Sequence, residues 1–146
     1  AAEDFPQAFT APVCKVRTLK AERTFWEKAT LLHAEYHRPT SKLYAERLSR
    51  HYYDLYRLQK QDIGRRAVAQ PELLKRVVQH KQMFFAQAWA SYETAKPGSF
   101  HLVPSKDRLG NLRKDYAAMQ DMIFGDAPDW DEIIGELARL EDQLNK

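Results

Sequence analysis

Apolar residues return every three or four positions through segment after segment of this chain, and that period commits it to helices. The stripe Ile133, Ile134, Leu137, Leu140 and Leu144 predicts a helix over 130–144, with Asp129 at its capping position. Phe25, Ala29, Leu32 and Tyr36, widened by Trp26 and Leu31, predict another over 20–37, stopped by Pro39 because the residue before a proline avoids the α region. Leu48, Tyr52 and Leu55 carry a second helix over 43–61. Pro71 suits the first turn of a third, running to about residue 92 with Leu74, Val77, Val78, Phe84, Phe85 and Ala88 inward. Ser105 is placed to cap a fourth, ended near Phe124 by Gly125. Val13 to Leu19 alternates weakly and reads as a short extended entry. The expected fold is all-α, a bundle of about five helices with a short extended N-terminal lead-in.

A chain of 146 residues suits one domain with a real core. No apolar run approaches the roughly 20 residues that span a bilayer, so no membrane partner is expected. Ala1 to Pro12 lacks the basic-then-apolar pattern of a signal peptide. Cys14 is the only cysteine, which excludes an intrachain disulfide, fits a reducing compartment and makes the cytoplasm the expected location.

The net charge of +3 hides a polar distribution. Residues 38–66 hold eight Lys or Arg against three acids, whereas residues 121–146 hold eight acids against two bases. The basic stretch is a candidate phosphate or RNA surface, unless the two ends neutralise each other in the fold. Within it, Arg47, Arg50, Asp54 and Arg57 share one side of the predicted second helix, with Arg50 and Arg57 spaced to reach the carboxylate. A solvated salt-bridge face and a polyanion site both fit that spacing. Lys28, beside Glu27 and two bulky aromatics near the start of the predicted first helix, is a second candidate phosphate contact.

Other constellations carry less. His33 and His37 have the i, i+4 spacing of zinc ligands, but no third ligand is indicated, and no metal ligands are expected in this chain. His80-Lys81 before Met83-Phe84-Phe85 offers a cation near an apolar wall, though such pairs usually border a core and point outward. Asp129/Asp131 and Glu141/Asp142 read as caps and solvated faces. There is no glycine-rich phosphate loop, no Gly-x-Ser-x-Gly elbow and no Cys-x-x-Cys pair.

Arg23-Thr-Phe-Trp-Glu-Lys28 with Ala29-Thr-Leu-Leu-His-Ala-Glu-Tyr-His-Arg-Pro39, then Ser49-Arg-His-Tyr-Tyr-Asp-Leu-Tyr56, resembles the AbiEii/AbiGii nucleotidyltransferase toxins. Asp115-Tyr-Ala-Ala-Met-Gln-Asp-Met-Ile-Phe-Gly125, with Pro128 and Leu140-Glu141, is similar to that family's C-terminal end. The resemblance implies a polymerase-β-like nucleotidyltransferase, the toxin half of a type IV toxin–antitoxin or abortive-infection system. Such an enzyme transfers nucleotides from NTP to RNA, and tRNA acceptor ends are a known target among relatives. Lys28 matches the lysine of the family's third motif. Arg50 and Asp54 match its fourth, where the residue after the arginine is an aspartate in many relatives and His51 here.

The resemblance implies that Lys28 and Asp54 are catalytic and that Lys28 and Arg50 bind nucleotide, while the basic stretch itself offers Arg47, Arg57 and Lys60 as RNA contacts. The resemblance places the Gly-Ser and Asp-x-Asp motifs that hold Mg²⁺ in an N-terminal lobe that this chain lacks. Gly98-Ser99 and Asp129-Trp-Asp131 have the letters of those motifs in the wrong order and place. Residues 1–19 are then a lead-in from that lobe and residues 20–146 the helical C-terminal domain, which alone is expected to catalyse nothing. A cognate antitoxin is an implied partner. The alternative reading is a non-enzymatic helical module that binds RNA or an antitoxin.

Overall fold

A computed structural model describes residues 6–42, 47–120 and 127–146, with side chains from residue 21 onward. Among the described residues there are six α-helices and no strand: α1 (Pro6–Tyr36), α2 (Ser49–Lys60), α3 (Ile63–Val68), α4 (Pro71–Phe84), α5 (Lys106–Met119) and α6 (Trp130–Leu144), with a single 3-10 turn at Tyr92–Thr94. The expected all-α bundle is what forms.

The extended entry does not. Residues 13–19 belong to α1, which begins at Pro6 and runs 31 residues. The alternating valines had no strand to pair with, and Ala8, Ala11, Lys15, Arg17 and Leu19 all favour helix. Proline is tolerated at the first position, and Pro12 removes one ladder bond from a long helix. Lys28 therefore lies far inside α1, not near its start.

α1 is the spine against which α2, α3 and α4 pack, and α2 in turn contacts α5 and α6. Phe25, Trp26, Ala29 and Leu32 of α1 are buried in one continuous core with Tyr52, Leu55, Val77, Phe100, Leu112, Ile133 and Leu137. Burying each large side chain contributes about 1.5–3 kcal/mol. Trp26 Nε1 donates to the Ala67 carbonyl at 3.0 Å, which ties α3 to the spine. That approach is tight: a Cβ at Gly64 would fall 1.9 Å from Gln59 Oε1 and 3.0 Å from the Phe25 ring. The sequence pattern does not reveal α3, because six residues span fewer than two helical turns and the apolar period does not repeat.

The expected helix over 43–61 is described from Ser49 onward, and residues 43–46 lie outside the described residues. Its start is held by another helix: the Asp115 carboxylate of α5 accepts from Arg47 N at 2.8 Å and Ser49 N at 2.9 Å. This satisfies first-turn donors that α2 has no residue of its own to cap. Ser105 and Asp129 occupy the cap positions of α5 and α6 as expected, but neither side chain makes a capping hydrogen bond. The end of α5 predicted at Phe124 and Gly125 lies outside the described residues.

The expected third helix ends at Phe84, not residue 92, and its aromatic end faces outward: Phe84 is 64% and Phe85 59% exposed. The stripe that faces α1 runs Leu74, Val77 and then Lys81, so the lysine occupies the inward position. Glu141, expected on a solvated face, instead accepts from Leu102 N at 2.6 Å and Val103 N at 3.2 Å. Asn145 accepts from Phe100 N and donates to its carbonyl, both at 2.8 Å. Together they strap the 98–103 segment to α6.

Candidate active site

Lys28 projects from α1 toward α2, and its ammonium meets two side chains one turn apart there. Nζ lies 3.0 Å from Asp54 Oδ2 and 2.9 Å from His51 Nδ1. Positions 51 and 54 share a face because three residues is nearly one helical turn. Burial first, and then the Lys28 ammonium, lower the His51 pKa, with Asp54 opposing. The ring is therefore neutral near pH 7, and its Nδ1 lone pair accepts from the ammonium, which leaves the proton on Nε2.

The sequence had suggested a carboxylate among three arginines. The carboxylate pairs instead with Lys28, 26 residues upstream, and among the described residues neither Arg50 nor Arg57 forms an ion pair with it. Arg47, Arg50 and Arg57 are exposed. Lys60 Nζ lies 3.7 Å from Glu136 of α6 and 5.7 Å from the Tyr56 ring centroid. The Lys60–Glu136 pair joins the basic stretch to the acidic one, while Asp131 pairs with Arg113 of α5 at 2.5 Å. The Asp129-Trp-Asp131 letters belong to the start of α6.

Lys28 also lines a cleft of about 640 Å³ between α1 and α4. One end is polar, formed by Glu27, Lys28 and Lys81. Phe84 and Phe85 add apolar surface to the lining, and the Glu35–Arg38 pair adds a charged one. That pair is bidentate, at 2.6 and 2.9 Å, and the guanidinium stands 4.6 Å from the Trp89 ring centroid. Lys81 Nζ donates to the Glu27 carbonyl at 2.9 Å. Burial, with Glu27 opposing and Lys28 adding, brings its pKa down to about 8.

His33 and His37 do not form a metal pair. His33 Nδ1 accepts from His101 N at 3.0 Å, and Nε2 reaches Ser91 O at 3.1 Å and Thr94 Oγ1 at 2.9 Å, so both ring nitrogens are used. Burial lowers its pKa to about 4. Among the described residues no group of three or more His, Cys, Asp or Glu side chains is placed to hold a metal ion. No helix among them is long and apolar enough to cross a membrane.

The two candidates Lys28 and Asp54, drawn from separate motifs, do meet, but their neighbours His51 and Lys81 were not among the sequence candidates. His51 stood out as a departure from the family pattern, and that was the available signal. Lys81 was seen beside an apolar wall, but its closeness to Lys28 depends on how α4 folds back on α1.

No curated protein and no solved structure gave a match. A family model, that of the nucleotidyl transferase AbiEii toxin of type IV toxin–antitoxin systems, matches residues 2–136. With nearly the whole length matched, the chain belongs to the AbiEii nucleotidyl transferase toxin family.

Proposed function

We propose that this chain is the helical part of a nucleotidyltransferase that moves nucleotides from NTP to RNA, with tRNA acceptor ends a candidate target and a cognate antitoxin its regulator in the cytoplasm. The observation that carries the reading is the Lys28–Asp54 pair at 3.0 Å, whose lysine also lines a cleft. An ammonium has three N–H donors. Asp54 and His51 engage two of them and aim the side chain, which leaves the third for a phosphate oxygen. Lys28 is then the phosphate clamp and Asp54 the group that orients it. Arg50 adds positive charge nearby, and the exposed Arg47 and Arg57, with Lys60, draw RNA toward the cleft without reading its sequence.

Nucleotidyl transfer requires charge on the triphosphate to be neutralised while a hydroxyl attacks in line with the departing pyrophosphate. Divalent metal ions such as Mg²⁺ supply much of that neutralisation in nucleotide-transferring enzymes. The described residues do not fit such a metal. In this reading its carboxylates come from outside the described residues, and the chain's own contribution is to bind and align the phosphates.

The test is transfer of radiolabelled nucleotide to RNA by the full-length protein and its Lys28→Ala and Asp54→Ala variants. Both variants should lose transfer while keeping the helical circular-dichroism signal. Full transfer by Lys28→Ala would remove the lysine from the reaction and favour a non-enzymatic RNA- or antitoxin-binding module.

A further inference from the structure

Lys81 occupies a position of α4 that the core stripe, running through Leu74 and Val77, would assign to an apolar side chain. A lysine that merely bordered the core would carry its ammonium out to water along its flexible stem. This one turns it into the cleft, where the Glu27 carbonyl accepts from it at 2.9 Å, one residue before Lys28. Lys28 and Lys81, from different helices, therefore both line the cleft, and the Lys28 charge acts on Lys81. Holding like charges close together is unfavourable, and an anion between them relieves it. Phe84 and Phe85 present apolar faces to the same cleft, with the His80 ring 4.8 Å from Phe84. A cationic end continuous with an aromatic wall suits a ligand with a polyphosphate at one end and a flat ring system at the other.

We propose that Lys81 is a second phosphate-binding residue, closing with Lys28 on the oligophosphate of a nucleotide whose base lies along Phe84 and Phe85. The inference rests on the reading of Lys28 as a phosphate clamp. It assigns α4 a direct share in substrate binding, so the cleft between α1 and α4 holds the nucleotide and α2 serves to aim Lys28. The charged groups of α1 that face Lys81 are Glu27 and Lys28, and His80 flanks it on its own helix.

Calorimetric titration of the full-length protein with inorganic tripolyphosphate and with NTP tests this. Lys81→Ala should weaken tripolyphosphate binding about tenfold or more, and Lys81→Arg should retain it. Between pH 7 and 9 the wild-type affinity should fall as Lys81 loses its proton, and Lys81→Arg should flatten that fall. A lysine with a purely structural role would change the melting temperature and leave this pH profile alone. The ratio of NTP to tripolyphosphate affinity should drop several-fold in Phe84→Ala/Phe85→Ala, two exposed positions that the fold tolerates.

Unchanged tripolyphosphate affinity in Lys81→Ala, with loss in Lys28→Ala, overturns the inference and leaves the clamp standing. Loss in Lys81→Ala with none in Lys28→Ala overturns the clamp instead. If Lys81→Ala does not fold, an unaltered pH profile in Lys81→Arg overturns the inference by itself.

Discussion

Lys28 and Arg57 both bring positive charge to α2, yet the molecule treats them in opposite ways. Lys28 is about one-fifth exposed and is held by Asp54 and His51. Arg57 is exposed and, among the described residues, carries no ion pair. An ammonium fixed by two partners costs little further ordering when a phosphate arrives, so its energy goes into alignment. A free guanidinium in water attracts anions over about a Debye length, roughly 8 Å at physiological salt, without placing them. On the proposed reading the difference is between cations that align a phosphate and cations that only attract one, a distinction that charge density along the sequence does not carry. The most basic stretch, residues 38–66, holds the exposed arginines, whereas the partnered lysine lies outside it.

The largest effect that sharpens this contrast is on transfer itself. Lys28→Ala and Asp54→Ala should each lower the rate on the order of 100-fold or more, measured with saturating RNA. His51→Ala should cost about tenfold, since it removes one of two groups aiming the ammonium but leaves the charge. A loss for His51→Ala as deep as that for Lys28→Ala would instead make the imidazole a reacting group.

Stability supplies two further tests. His33 is kept neutral by burial, with a folded pKa of about 4 against 6.5 for the free side chain. Between those values the unfolded chain binds the proton and the folded chain does not. Stability is therefore complete above about pH 6.5 and declines toward pH 4, by a total on the order of 3 kcal/mol. Urea melts at pH 7 and 4.5 check this, and His33→Gln should remove most of the difference. Asp115→Ala strips the α2 start of its cap and should cost about 1 kcal/mol. If α2 aims Lys28, that variant should also lose transfer out of proportion to its stability. The smallest effect belongs to the steering set: Arg57→Ala should weaken RNA binding only a few-fold and reduce its salt dependence by about one ion.

Much of this was legible in the residues. The stripe over 130–144 gave α6 with both ends, because an amphipathic helix bounded by a cap and covered on one side follows its own period. The Lys28–Asp54 pair was legible through two separated motifs, not through spacing, which offered Arg50 and Arg57 as the closer partners of Asp54. Local spacing sees one helix at a time and cannot weigh a lysine arriving from another. The same blindness explains Asp115, which caps a helix 66 residues earlier in the chain, and Glu141 and Asn145, which serve the 98–103 segment. Phe84 and Phe85 misled because aromatic residues at helical spacing usually mean core; here α4 ends beneath them and leaves them on the wall of the cleft.

The central claim is that Lys28 and Asp54 act as one unit, and a double-mutant cycle on transfer rate measures it most directly. Lys28→Gln and Asp54→Asn keep the shapes and remove the charges. If the carboxylate works by aiming the ammonium, the double variant should be about as slow as the slower single one. Losses that multiply in the double variant would contradict the account.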